Sequence, residues 1–138
     1  MPKYSRKQVW SRAKGLCECR LPKAFSILPH EIDHIRARKH HGPTTLPNTC
    51  LTCAQCNAAK SSNAAGFDPD TDELVPLFDP RADDWDGHFA WDGPFLRGKT
   101  GVARATIDVL RINDPERVEH RRLLIAAGLF PPTDSGSL

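Results

Sequence analysis

An aspartate and a histidine stand side by side at Asp33 and His34, and together these side chains can serve the hydrolysis of a phosphodiester. That reaction needs a base that makes water nucleophilic and a cation that absorbs the charge building on the phosphate. Histidine is a base near neutral pH, and aspartate is a hard oxygen ligand. Because neighbours on a regular strand point to opposite faces, we predict that His34 lies at a strand end, where both side chains can face one substrate.

A second polar group follows further along the chain. Asn57 comes directly after Cys53-x-x-Cys56, and Lys60 stands three residues later, so on one helix the two share a face. The amide oxygen of Asn57 then completes an oxygen-ligated metal site with Asp33, or the residue is a plain helix cap. Lys60 either meets a phosphate oxygen or closes the helix surface.

Together with Asn48, these residues resemble the motif of the HNH nucleases, in the HNN form because an asparagine stands at the last motif position. The resemblance implies an α+β fold with a ββα-metal (HNH, or His-Me finger) core, which is a two-stranded hairpin and a helix around one metal. It implies that His34 is the general base and that Asn48 holds the loop between the strands. Asp33 and Asn57 are then the ligands of a catalytic Mg²⁺ or Mn²⁺.

Segments after the motif also resemble those of a group of small bacterial HNH proteins. These segments are Leu74–Phe78, His88–Trp91, Gly101–Thr106 and Asn113–Arg117. We therefore predict a single HNH nuclease domain over residues 1–138. Within it, residues 1–66 form the core with its cysteine cluster, residues 67–130 form a hairpin and helical extension, and residues 131–138 form a flexible tail.

Five cysteines in a chain without a secretory signal indicate metal binding rather than disulfides. The predicted ligands of a structural zinc ion, in a zinc-ribbon-like cluster, are Cys17, Cys19, Cys53 and Cys56. The family usually has Cys-x-x-Cys where this chain has Cys17-Glu18-Cys19. Four thiolates leave no position for water, so zinc here acts by fixing the start of the helix that carries Asn57. The odd thiol, Cys50, is predicted to be a small buried strand residue.

Positive charge is concentrated in the first part of the chain. Residues 1–41 hold ten Lys/Arg and three Asp/Glu, a charge of +7, whereas residues 42–138 carry −5. A basic segment beside a hydrolytic site suits a phosphate backbone. A predicted short helix from Ser5 to Lys14 adds basic residues, Arg12 among them, that can follow DNA. The contacts that we expect first are Arg36, Arg38, Lys39 and Lys60.

The surroundings of the motif leave one question open. Glycine and proline predict a loop over Lys39–Pro47, with His40 and His41 exposed in it. Glu31 shares strand parity with Asp33, so it either adds negative charge near the metal or faces solvent.

The second half of the chain predicts supporting elements rather than another catalytic site. Phe89–Leu96 alternates around an Asp-Gly turn, which is typical of a β-hairpin whose aromatic residues lie in the core. Two helices follow: Thr100 caps the first, and Asp114-Pro115 opens the second. The acidic stretch Phe67–Glu73 lacks the glycine and the final glutamate of an EF-hand loop and is predicted to be solvated.

These patterns predict a metal-dependent endonuclease acting on DNA, most readily double-stranded DNA. The alternative is a zinc-stabilised nucleic-acid-binding module without catalytic activity, and a third possibility is a structural zinc-ribbon adaptor. The complete set of motif residues favours the nuclease, because an adaptor does not need it. The sequence shows no transmembrane run, signal peptide or lipidation motif, so we expect a cytoplasmic protein with no membrane partner. Sequence specificity and oligomeric state are not determined by these patterns.

Overall fold

The computed structural model describes residues 6–13, 31–60 and 63–130. They belong to two compact units, Met1–Ala64 with Asp79–Ala82, and Ala65–Phe78 with Asp83–Leu138. Helices and small antiparallel sheets occur in both, which confirms the α+β class. The first unit ends at Ala64, two residues before the predicted boundary at residue 66, and it also includes the later segment Asp79–Ala82. The organisation as a single nuclease domain stays a prediction, and the predicted tail lies outside the described residues.

The first unit places a hairpin between two helices in the chain. Its elements are α1 (Arg6–Ala13), β1 (Glu31–His34), β2 (Thr49–Thr52) and α2 (Ala54–Lys60). β1 pairs antiparallel with β2, so that Glu31 lies opposite Thr52 and His34 opposite Thr49. Every residue of β2 is buried, Cys50 included, which confirms the prediction for that thiol. α1 packs on β2 and buries Val9 completely.

The connection between β1 and β2 is the predicted loop, tightened by short 3₁₀ turns at Arg38–His40 and Leu46–Asn48. His40 and His41 are exposed, as predicted. Gly42 lies where the chain passes close to itself, because a Cβ on this residue would come within 1.7 Å of the Arg36 carbonyl oxygen. A side chain at position 42 is therefore incompatible with this path of the loop.

The second unit contains the remaining elements: β3 (Ala65–Phe67), β4 (Leu74–Pro76), α3 (Trp85–His88), β5 (Phe89–Asp92), β6 (Phe95–Gly98), α4 (Gly101–Val109) and α5 (Pro115–Ala126). β5 and β6 form the predicted hairpin, and Gly93 in its turn has a φ of 59°. The Thr100 hydroxyl accepts a hydrogen bond from the Ala103 nitrogen, so the predicted cap of α4 is confirmed. Asp114 occupies the capping position of α5 without a side-chain capping bond. None of the helices in the described ranges has the length and apolarity that a membrane crossing requires.

Aromatic side chains form the core of this second unit, as predicted. Phe89 is 4% exposed, and its ring centroid lies 5.1 Å from that of Phe78 and 5.3 Å from that of Trp85. Trp91 packs edge-on against Phe130, at 4.8 Å between centroids. These rings are engaged with one another, so they are packing residues and not a surface on which bases stack.

Asp68 corrects the prediction of a wholly solvated acidic loop. This residue is 1% exposed, and its carboxylate accepts two hydrogen bonds from the Arg104 guanidinium, at 2.8 and 2.9 Å. The guanidinium, with the Asp70 nitrogen and the Thr71 hydroxyl, holds the pKa of Asp68 well below its usual range. The prediction from the local sequence was wrong because Arg104, the partner of Asp68, lies on α4, 36 residues along the chain. A paired carboxylate can be buried where a lone one cannot.

Candidate active site

Asn48 closes the loop between β1 and β2 with its side chain. Its amide nitrogen donates to the carbonyl oxygens of Pro43 and Arg36, at 2.7 and 3.1 Å, and its amide oxygen accepts from the Arg36 nitrogen at 2.9 Å. Its backbone carbonyl also accepts from the Ile35 nitrogen at 2.9 Å. One asparagine thus joins the two ends of the loop, and both functions of its amide are used.

His34, the last residue of β1, turns its ring toward this loop. Its Nε2 lies 2.9 Å from the hydroxyl oxygen of Thr44. Nδ1 forms no hydrogen bond with the described residues. β1 ends at His34, which confirms the prediction that this residue lies at a strand end. The half-buried imidazole therefore has one nitrogen held by the loop and one available to a water molecule.

Asp33, next to His34 in β1, meets α2. Its Oδ2 lies 3.2 Å from Lys60 Nζ, and each of the two side chains is 15% exposed. The same ammonium donates to the carbonyl oxygens of His34 and Ile35, at 3.2 and 3.4 Å. Despite the ion pair, Asp33 Oδ2 is buried and accepts no hydrogen bond from the described residues. The oxygen therefore has an ionic partner but no aligned hydrogen bond, and a carboxylate oxygen has a further lone pair for a hard cation, so Asp33 fits the part of a metal ligand.

Asn57 lies on the same face of α2 as Lys60 and contacts the beginning of β1. Its Nδ2 donates to Glu31 Oε1 at 2.6 Å. Its Oδ1 accepts no hydrogen bond from the described residues. A carboxylate oxygen and an amide oxygen on adjacent elements are the donor types that a hard divalent ion takes, with water filling the other positions. No three His, Cys, Asp or Glu side chains converge as a metal site within residues 6–13, 31–60 and 63–130.

The cysteines are described only in part. Cys53 and Cys56 are 1% and 2% exposed, and the Cys56 nitrogen donates to Cys53 Sγ at 3.4 Å. The two sulfurs thus lie at the start of α2, beside Asn57. Cys17 and Cys19, the other predicted zinc ligands, lie outside the described residues, and the four-cysteine site stays a prediction.

The predicted DNA contacts differ in their surroundings. Arg36, Arg38 and Lys39 are exposed, and Arg36 donates from Nε to the His40 carbonyl oxygen at 2.7 Å. Lys60 instead points into the site, where it pairs with Asp33. The three exposed side chains are open to a phosphate backbone, whereas Lys60 reaches only a phosphate that enters the site. Binding of DNA by these residues stays a prediction.

Arg12 has a role that sequence reasoning missed. Its guanidinium donates to the carbonyl oxygens of Leu46 and Thr49, at 2.8 and 2.5 Å, and these two residues flank Asn48. The sequence grouped Arg12 with basic residues that follow DNA, whereas the structure shows it bracing the end of the loop. No local pattern indicates this, because donor and acceptors are separated by 34 and 37 residues.

The described unit positions the motif residues in separate contacts. These contacts are Asp33 with Lys60, Asn57 with Glu31, His34 with Thr44, and Asn48 with Arg36 and Pro43. In the part of the chain that the structure describes, no hydrogen bond joins the His34 ring to Asp33 or Asn57. Glu31, whose direction the sequence left open, faces Asn57, and strand parity was the signal for it. Nothing in the sequence indicated that Thr44 contacts His34, apart from its place in the loop.

Replacing Asn48 with alanine is expected to reduce the DNA cleavage predicted from the sequence by about tenfold to a hundredfold, because misplacing reacting groups by about 1 Å costs up to about a hundredfold. The change removes the three hydrogen bonds that the Asn48 side chain forms with the loop backbone. Initial cleavage rates measure the loss of activity, and amide exchange at Arg36 measures the loosening of the loop. Asn63→Ala is the matched control, since Asn63 is exposed with no side-chain bond to the described residues. An Asn48→Ala protein with unchanged cleavage contradicts the assignment of Asn48 to the site.

Comparison with known proteins gives two findings. Residues 17–63 match the family model of the HNH endonuclease. The chain is also similar to the Septu protein PtuB of Bacillus thuringiensis, with 26% identity over 116 residues. That match includes 79% of this chain and 40% of the relative, so the chain spans less than half of the length of that protein. No solved structure matches significantly.

Proposed function

We propose, because residues 17–63 match the HNH endonuclease family model, that this protein is a metal-dependent endonuclease that hydrolyses phosphodiester bonds of DNA. The observation that carries the proposal is the position of Asp33, next to His34 at the end of β1, with a buried Oδ2 that has the Lys60 ammonium at 3.2 Å but no aligned hydrogen bond. A carboxylate oxygen in this position has a lone pair left with which it can coordinate a hard divalent ion. The substrate, double-stranded DNA, rests on the family and on the basic first part of the chain.

In the proposed reaction, His34 takes a proton from the attacking water. In the tautomer that this role requires, Nε2 donates to the Thr44 hydroxyl oxygen, 2.9 Å away, and the lone pair is on Nδ1. Nδ1 has no competing partner among the described residues, so it accepts the proton as the water oxygen attacks phosphorus. The bond from phosphorus to the departing oxygen breaks on the opposite side, which is the in-line geometry of phosphoryl displacement.

Asp33 and Asn57 would hold the catalytic ion through Oδ2 and Oδ1. Bound Mg²⁺ or Mn²⁺ supplies positive charge that stabilises the negative charge developing on the phosphate and the leaving oxygen. Oxygen donors favour these hard ions over softer ones. Lys60, already beside Asp33, adds a second positive charge at this place.

Arg36, Arg38 and Lys39 are proposed to bind phosphates of the DNA backbone near the cleaved bond. Each is exposed and lies within the loop that Asn48 holds. Contacts of this kind are independent of base sequence and weaken with salt. The ββα-metal arrangement of β1, β2 and α2, with a structural zinc ion on the four cysteines, remains part of the proposal, and so does a cytoplasmic location.

A supercoiled-plasmid assay tests the proposed function. With Mg²⁺ or Mn²⁺ we expect nicked or linear DNA, and with excess chelator we expect intact supercoiled DNA. Plasmid binding without cleavage under all metal conditions supports the alternative, a zinc-stabilised binding module. Neither binding nor cleavage supports the adaptor. Measuring filter retention of the plasmid in parallel separates these outcomes.

A further inference from the structure

Two side-chain contacts connect β1 to α2 in parallel. Glu31 and Asp33 are two residues apart on the strand and share a face, and Asn57 and Lys60 are three apart on the helix and share a face. Glu31 contacts Asn57 at 2.6 Å, and Asp33 contacts Lys60 at 3.2 Å. Asp33 on the strand and Asn57 on the helix therefore each have a charged neighbour on the other element.

The first of these contacts determines how the Asn57 amide is turned. A carboxylate at neutral pH only accepts hydrogen bonds, so the atom of Asn57 that faces Glu31 must be the NH₂ group. The amide oxygen is then directed away from Glu31. It accepts no hydrogen bond from the described residues and is available as an electron-pair donor.

We infer that Glu31 is a positioning residue of the metal site, which orients the Asn57 amide so that its oxygen, and not its nitrogen, is presented to the ion. This inference rests on the proposed function, because it requires Asn57 to be a ligand. Partners that orient metal ligands by hydrogen bonds contribute measurably to affinity, and their loss weakens metal binding by about tenfold to a hundredfold. Glu31 itself is exposed, whereas Asp33 is 15% exposed, which suits an orienting role for the first and a ligand role for the second.

A double-mutant cycle measured by Mn²⁺ titration calorimetry without DNA tests the inference. The four proteins are the wild type, Glu31→Ala, Asn57→Ala and the double variant, and a coupled pair departs from additivity. We expect Glu31→Ala to weaken Mn²⁺ binding about tenfold in the wild-type background, the lower end of the effect of such partners. In the Asn57→Ala background the same change should have no effect, because Glu31 acts through that amide.

Glu31→Gln separates orientation from charge. Glutamine keeps an oxygen that accepts from Asn57, so we expect its Mn²⁺ affinity to stay within about threefold of the wild type. Equal losses in Glu31→Gln and Glu31→Ala, or additive losses in the cycle, overturn the positioning role in favour of direct charge or ligation. Unchanged affinity in Glu31→Ala overturns the inference alone if the wild type binds Mn²⁺ and cleaves plasmid. A wild type that does neither overturns the inference and the proposed function together.

Discussion

Replacing His34 with alanine is expected to reduce plasmid cleavage about a hundredfold or more, the effect of losing a general base. The variant should bind DNA as the wild type does, because the ring contacts Thr44 and is not among the proposed phosphate contacts. Single-turnover cleavage with saturating Mg²⁺ measures the chemical step, and filter binding measures the affinity. Together they locate the loss in catalysis.

His120→Ala is the control for this variant. His120 lies on α5 in the second unit, and its side chain has no hydrogen bond with the described residues. Its removal should leave cleavage unchanged. The loss in His34→Ala then comes from that position and not from the removal of a histidine in general. Wild-type cleavage by the His34→Ala protein contradicts the base assignment and leaves the binding module as the better explanation.

Replacing Asp33 with asparagine is expected to weaken Mn²⁺ binding at least about a hundredfold, since one carboxylate–cation contact is worth about 4 kcal/mol for unit charges near a protein surface. The change keeps the shape of the side chain, removes its charge and replaces one acceptor oxygen with an NH₂ donor. Lys60 then lacks the carboxylate beside it but keeps its bonds to the His34 and Ile35 carbonyl oxygens. Calorimetric titration with Mn²⁺ and cleavage over a range of metal concentrations measure the effect.

A matched carboxylate tests whether the loss is specific. Asp108 on α4 is exposed and has no side-chain bond to the described residues, so Asp108→Asn removes the same charge elsewhere in the chain. Its Mn²⁺ affinity should equal that of the wild type. If Asp33→Asn binds Mn²⁺ as tightly as Asp108→Asn does, Asp33 Oδ2 is not a metal ligand.

Local features of the fold could be predicted because their causes lie within a few residues. The end of β1 at His34, the β5–β6 hairpin around Gly93 and the cap of α4 by Thr100 all follow from strand alternation, turn chemistry or a capping hydroxyl. For the candidate site, the three-residue spacing of Asn57 and Lys60 predicted that both lie on one face of α2, and both contact β1. Asn48 is held as the resemblance implied, by bonds to the loop on either side.

The sequence by itself determined the α+β class, the resemblance to the HNH nucleases and the residue types available for hydrolysis. Only the tertiary structure decided which groups meet: Arg104 with Asp68, 36 residues away, Arg12 with the loop carbonyls, and Glu31 with Asn57, 26 residues away. The physical reason is that capping, turns and periodicity act over one or two turns of chain. Pairing between distant polar groups depends instead on which segments the fold brings together. Burial of Asp68 is favourable only with Arg104 beside it.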